Sequence, residues 1–248
     1  MKIGIIGGTG FYEIAGEKIE ISTDYGKVET IHFKKSNRDV FFISRHGKNH
    51  HTPAHKVNYH GNVQAMKKIG IDAVIGISTV GSMKKGIKPG SIFIPNDFID
   101  FTKRKTTFFD KETIHIDLSE PFCPIIRKIL FQETKKYRAL NEGIYIATEG
   151  PHLETKAEVA MLKNFGDVVG MTLVPEAILA REMGICYASL CLVSNYAAGL
   201  QKRLSIKEIK DMYKAKKPII KKIIDGAIEK VPERRNCRCR YAPKEGKM

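Results

Sequence analysis

The chain has 248 residues, 42% of them hydrophobic, enough for one α/β domain or two small ones with a substantial core. No apolar run reaches about 18 residues, and residues 1–6 lead straight into a glycine turn. A membrane span is therefore excluded, a secretory signal is not expected, and a cytoplasmic protein is. The net charge of +15 would suit a nucleic-acid binder, but residues 202–248 hold sixteen Lys and Arg against six Asp and Glu, a net of +10. The first 201 residues hold only +5, and only Tyr213 and Tyr241 stand among the basic ones, so the excess reads as a solvated helix and tail.

Residues 2–6 form a β-branched run that ends at Gly7-Gly8-Thr9-Gly10. A strand followed by such a turn is a phosphate cradle, because glycines admit an anion close to backbone N–H groups and Thr9 adds a hydroxyl. It is neither G-x-G-x-x-G nor a P-loop, which weakens a dinucleotide-binding oxidoreductase as a reading. Residues 19–31 and 39–44 read as strands separated by turns at Asp24-Tyr25-Gly26 and Ser36-Asn37-Arg38. The second leads into Arg45-His46-Gly47, where a guanidinium at a strand's carboxyl end suits an oxyanion. Five of the eight histidines fall between His46 and His60. They lack the paired ligands and second cluster of a zinc site, and no metal is expected.

A helix over 57–69 ends at Gly70, and a buried strand over 72–78 opens into Ser78-Thr79-Val80-Gly81-Ser82. Strands follow at 91–94 and 143–147, with a polar aromatic loop at 101–113 and an amphipathic helix at 124–137 between them. Thr155 and Glu158 have capping-box spacing for a helix reaching Phe165, a cap that Glu154 is not needed for. A strand at 167–170 precedes Met171-Thr172 and a helix at 175–183. The strand at 185–193 stops at Ser194 and Asn195 before a small-residue turn. A last helix at 205–230 carries Pro218, where a kink is expected. The five cysteines are an odd number with only Cys237-Arg-Cys239 close together. That disfavours an extracellular disulfide framework and leaves open a Cys237–Cys239 bond of the kind found in thermophiles.

Strands alternating with helices and ending in polar turns predict an α/β sheet with its site along one edge. The domain is expected at 1–232, with 233–248 a basic tail. Ligands bind beyond the carboxyl ends of strands in such sheets, which puts Asn195 where a ligand is read. Its amide can donate and accept at once, as O6 and a protonated N7 of a 6-oxopurine require.

Several motifs occur together in order: Gly7–Gly10, Arg45–Gly47, Val57-Asn58-Tyr59, Gly81-Ser82, Glu120-Pro121-Phe122-Cys123-Pro124, Glu149-Gly150-Pro151 and Met171-Thr172-x-x-Pro175-Glu176. Across residues 2–199 the chain resembles the trimeric purine nucleoside phosphorylase family, with the 5′-methylthioadenosine phosphorylase branch nearest and archaeal members sharing a Cys-x-Cys tail. The resemblance implies an α/β fold, a single domain with a central mixed sheet flanked by helices, and phosphorolysis of purine nucleosides to free base and sugar 1-phosphate. It implies phosphate donors at Thr9, Arg45, His46, Ser78, Thr79 and Thr172, and substrate contacts at Met171, Glu154, Asn195, Tyr196 and Ala197. Arg45, His46 and Asn195 would be the catalytic set. His115 matches a position that reaches a neighbouring subunit's site, implying a trimer or a dimer of trimers. No cofactor is implied, with inorganic phosphate as co-substrate.

Two departures from the nearest branch bear on the base. Adenine-specific members carry an Asp-x-Asp pair where this chain has Asn195 and Ala197, and Ser where it has Glu154. An ionised Glu154 would repel the unprotonated N1 of adenine but accept from the N1–H of a 6-oxopurine. The reading is phosphorolysis of inosine, guanosine and, with Ile206 and Ile209 near the 5′ substituent, 5′-methylthioinosine. An adenine-specific 5′-methylthioadenosine phosphorylase and a basic nucleic-acid-binding protein are the alternatives.

Overall fold

The computed structural model describes residues 1–8 and 14–248; the expected phosphate donor Thr9 lies outside the described residues. In chain order, β1 (Lys2–Gly7), β2 (Glu17–Thr23), β3 (Gly26–Lys35) and β4 (Arg38–Ser44) lead to helix α1 (Tyr59–Ile69) and strand β5 (Ala73–Ser82). Then come β6 (Ile92–Phe93), β7 (Asp97–Asp100), helix α2 (Pro124–Thr134), β8 (Ala139–Leu140) and β9 (Ile144–Ala147). Helix α3 (Lys156–Leu162), β10 (Val168–Gly170), helix α4 (Leu173–Glu182), β11 (Cys186–Tyr196) and helix α5 (Ile206–Lys230) complete the frame. Among the described residues no helix is long and apolar enough to cross a membrane.

All eleven strands join one mixed sheet, as the family resemblance implies. At its centre β4, β1, β5 and β11 run parallel, so their carboxyl ends share one edge. Both faces of these strands are buried, and their side chains alternate between two cores. From β11, Ala188, Leu190 and Leu192 face a core completed by α2 and α5. Tyr187, Cys191 and Val193 face the opposite core, completed by α1 and α4.

Two strands run further than the sequence pattern predicts. β5 continues past Ser78 to Ser82 and β11 continues past Val193 to Tyr196. The polar residues stay in the sheet because the two strands satisfy each other, pairing Asn195 with Gly81 across a bulge between Val193 and Asn195. On its other side β5 changes partner. β1 pairs with Val74–Ile77 and antiparallel β10 only with Gly81–Ser82. Between them the edge at residues 78–80 has no strand neighbour among the described residues, and this gap opens the cavity described below.

Helix ends follow the local chemistry. α1 starts at Tyr59, two residues later than its pattern suggests, because Asn58 caps it by accepting from the Gly61 N–H. Gly70 closes it in the left-handed conformation, φ 81°. α4 starts at Leu173, so Pro175 sits harmlessly within the first turn. α5 is unbroken through Pro218. The segment after residue 232 folds back on the domain, with Cys237 and Cys239 buried in the α2/α5 core.

The expected capping box forms in full: the Thr155 side chain accepts from the Glu158 N–H, and the Glu158 carboxylate accepts from the Thr155 N–H at 2.7 Å. Thr155→Ala removes one half and is expected to lower stability by about 1 kcal/mol. Urea denaturation checks this; an unchanged midpoint would show that α3 does not depend on its cap.

Candidate active site

A cavity of about 730 Å³ opens at the carboxyl edge of the parallel strands. That is the size and place expected of a small-molecule site in an open α/β sheet. Its walls bring together Arg45, His46, Ser78, Thr79, Glu154, Met171, Thr172, Asn195 and Ala197, which the sequence scatters over 150 positions. Lys210 and Glu154 are the other charged groups on the wall, so the lining has a positive excess.

Arg45 leaves the end of β4 with its side chain buried. Its Nε and Nη2 grip both oxygens of the equally buried Glu176, the Nη2–Oε2 bond being 2.8 Å. Nη1 donates to the Ile77 carbonyl at 2.8 Å and Nη2 to that of Ile6 at 3.4 Å. Tyr187 adds a third donor to Glu176 at 2.7 Å. Arg45 has five N–H groups, and these bonds use four. The fifth, on Nη1, lies beside Gly8, where an added Cβ would stand 2.7 Å from Nη1. Glu176 holds Arg45 charged, with its pKa raised further above the ordinary value.

His46 donates Nδ1–H to the Thr52 carbonyl at 2.9 Å. Burial, with Arg45 and His50 nearby, lowers its pKa from 6.5 to about 3. At neutral pH the ring is uncharged and Nε2 is an acceptor. Its donor is already committed, so His46 would meet a ligand through Nε2, which suits a hydroxyl. The His50 ring lies against it, tilted by 30°, at 4.0 Å between centroids.

Thr172 is the N-cap of α4 but makes no side-chain capping bond, and the ten-residue helix aims its amino end at the cavity wall. The Thr172 N–H is spent on the Tyr145 hydroxyl at 3.3 Å and Pro175 has none, so it is the helix dipole that favours an anion there. Met171 is fixed through its carbonyl, which accepts from Arg104. The same guanidinium binds the Tyr59 hydroxyl at 3.0 Å and Glu149 at 3.1 Å, tying the 101–121 loop to the cavity wall.

On the other flank Thr148 donates to Glu154 Oε1 at 2.6 Å, orienting the acid. Asn195, only 5% exposed, accepts from Ser194 at 2.7 Å and donates to the Tyr196 carbonyl at 2.9 Å. Each amide group keeps one further donor or acceptor for a ligand. Ile206, Ile209 and Leu204 line the mouth, Ile206 with 58% of its surface exposed.

Two expected site residues lie elsewhere. Tyr196 follows Asn195 on the strand and so points to the opposite face; its hydroxyl donates to the Lys85 carbonyl at 3.0 Å. His115 is exposed and outside this chain's cavity, with its N–H donating to Gly246. Glu176, Tyr187, Thr148, Arg104 and Lys210 were not singled out as site groups. A buried-length helix carrying Glu176 within the Met171-Thr172 motif was the one available signal.

The sequence matches the family model described as the phosphorylase superfamily over residues 2–229. This chain belongs to the phosphorylase superfamily. It is 46% identical over 248 residues to the probable S-methyl-5′-thioinosine phosphorylase of Methanocaldococcus jannaschii, covering 98% of both chains. It is 43% identical over 256 residues to the probable 6-oxopurine nucleoside phosphorylase of Dictyoglomus turgidum, covering 99% of this chain and 97% of the other. Its fold matches that of methylthioadenosine phosphorylase from Schistosoma mansoni, solved with adenine, with a TM-score of 0.92 and 27% identity, covering 98% of this chain and 96% of that one. The superfamily chain is thus an enzyme with a nucleoside phosphorylase fold.

Removing Glu176 strands the buried Arg45 charge. Glu176→Gln is expected to cost about 3–5 kcal/mol, the range for breaking a buried pair. A urea midpoint within a few tenths of a molar of the parent would refute this role.

His46 sets a pH dependence. Its folded pKa is depressed, so the unfolded chain takes up the proton first as pH falls below about 6.5, and stability is lost down to about 3. His46→Gln is expected to flatten the fall in urea midpoint between pH 7 and pH 4.5. A steeper fall in the variant would contradict a neutral, buried His46.

Proposed function

We propose that this enzyme phosphorolyses 6-oxopurine nucleosides, releasing the base and a sugar 1-phosphate, in the cytoplasm and for purine salvage. The observation that carries the reading is one cavity with an anion-suited wall opposite a Glu154–Asn195 pair. Phosphate would sit at Gly8, the Arg45 Nη1–H, Ser78, Thr79 and the Thr172 end of α4, with Thr9 as the remaining donor. Inorganic phosphate is then a co-substrate, and no cofactor enters the reaction.

A phosphate oxygen bonds to C1′ as the C1′–N9 bond breaks, and the bonding pair passes to the purine. The oxocarbenium-like sugar is stabilised by the phosphate charge beneath it. Hydrogenphosphate gives up its proton as the C–O bond forms, and one proton enters the purine at N7. The neutral His46 Nε2 suits a P–OH or sugar hydroxyl as an acceptor. Asn195 accepts from N7–H and donates to O6, and Glu154 accepts from N1–H. Adenine presents the wrong pattern at both contacts. Two mispaired buried groups at about 1–3 kcal/mol each give roughly 10²–10⁴ in discrimination.

The relatives named as thioinosine and 6-oxopurine nucleoside phosphorylases support this choice of base. The apolar mouth supports a 5′-methylthio substituent: Ile206 is too exposed to be a core residue, and a thioether would cover it. The exposed His115 supports a trimer, or a dimer of trimers, in which it reaches the neighbouring subunit's cavity.

The test is kcat/KM for inosine, guanosine, adenosine and their 5′-methylthio forms, with and without phosphate. The 6-oxopurines are expected to lead by about 10² or more, with no turnover lacking phosphate. Asn195→Asp is expected to move the inosine/adenosine ratio at least about tenfold toward adenosine. Base release indifferent to phosphate, or an unchanged ratio in the variant, would defeat the proposal.

A further inference from the structure

Four of the five cysteines converge far from the cavity. Cys123 precedes α2, Cys186 opens β11, and Cys237 and Cys239 come from the C-terminal segment. All four are buried, and their Sγ atoms lie within 4.8 Å of one another. The Cys186–Cys237 separation is 3.3 Å and the Cys123–Cys237 separation 3.7 Å. No pair is bonded as a disulfide. Four thiolates placed tetrahedrally at about 2.3 Å from a metal stand about 3.8 Å apart, close to what is seen.

The backbone fixes this arrangement. The Cys123 N–H donates to the Tyr187 carbonyl at 2.7 Å, and the Cys186 N–H to the Asp72 carbonyl at 2.9 Å, which locks α2, β11 and the β5 approach together. Cys237 is the N-cap of a short helical coil, Arg238–Tyr241, and Cys239 lies within it. The fifth cysteine shows what an unrecruited thiol looks like here. Cys191 lies in the opposite core beside Ser189, with burial pushing its pKa up to about 12. Four thiolates and one divalent cation carry a net charge of −2, and cations surround the cluster in sequence at Arg234, Arg235, Arg238 and Arg240. Arg235 pairs with Asp72 at 3.5 Å, and its buried Nε has no acceptor among the described residues.

We infer that Cys123, Cys186, Cys237 and Cys239 form a structural tetrathiolate site for one thiophilic divalent cation, zinc being the natural fit. Binding forms four metal–sulfur bonds and releases four thiol protons to solvent, with no change in oxidation state. All four positions are filled by protein, so the site is closed and holds no water for chemistry. Its work is to clamp the C-terminal segment onto the starts of α2 and β11. Asn195 lies nine residues further along β11, about 30 Å away at strand rise, so the metal touches no substrate. The inference is independent of which nucleoside the enzyme takes.

The test is elemental analysis of the full chain, purified under reducing conditions without chelator, with thiol counting before and after a chelator in denaturant. About one zinc per chain is expected, with the four cluster thiols protected until the metal is removed. Iron at the same stoichiometry, bound through four sulfurs, would equally support the site. Cys237→Ser with Cys239→Ser is expected to lose the metal and lower Tm by about 10 °C or more, with kcat/KM kept within about threefold below that Tm. Should that variant fail to fold, Co²⁺ loaded into the parent chain reports the same ligands through its thiolate charge-transfer absorption. Metal-free protein that, once reduced, binds no added Zn²⁺ would overturn the inference, as would two disulfides in the intact mass.

Discussion

The buried ion pair of Arg45 with Glu176 is the constraint from which the cavity follows. Taking both charges out of water is costly, and the cost is met only because every oxygen of Glu176 and four of the five N–H groups of Arg45 are engaged. Those engagements span β1, β4, β5, α4 and β11, so the guanidinium can sit in one place only. It arrives at the cavity with a single N–H left to offer. Since Glu176 offsets its charge, attraction of an anion rests also on Lys210 and on the amino end of α4. The protein thus supplies fixed dipoles and a positioned donor rather than a loose cation, which is how a site stabilises charge without reorganising.

The opposite flank works by the same rule at lower charge. Thr148 orients Glu154 and Ser194 orients Asn195, so both readers of the base are held before a ligand enters. Between the flanks, the stretch of β5 where β1 has ended and β10 has not begun provides room. A cavity at a change of strand partner needs no special loop, only a central strand longer than its neighbour.

Much of this was legible in the sequence because its signals are local. An apolar run ending in Arg45-His46, the Thr155/Glu158 cap and the amide at Asn195 each depend on a few adjacent residues. What escaped depends on distance. Glu176 meets Arg45 across 131 positions, and nothing near either residue announces the other. β5 and β11 outran their apolar windows because Gly81 and Asn195 pair with each other, a tertiary fact that overrides the polar ending of each run. β7, with Asp97 and Asp100 at its ends, is an edge strand on β9 and carries no buried-strand pattern. His46 was legible as a site residue, but the Thr52 carbonyl that claims its proton was not. The cysteines looked scattered for the same reason as Glu176: only Cys237 and Cys239 are neighbours before the chain folds.

The central claim is spatial, that one cavity holds phosphate against Arg45 and α4 while Glu154 and Asn195 read a 6-oxopurine edge. A crystal structure with hypoxanthine and phosphate bound tests it most directly. The account predicts phosphate within hydrogen-bond distance of Arg45 Nη1 and facing the amino end of α4, with N1 on Glu154 and O6 or N7 on Asn195. A purine that touches neither side chain, or phosphate bound outside this cavity, would contradict it.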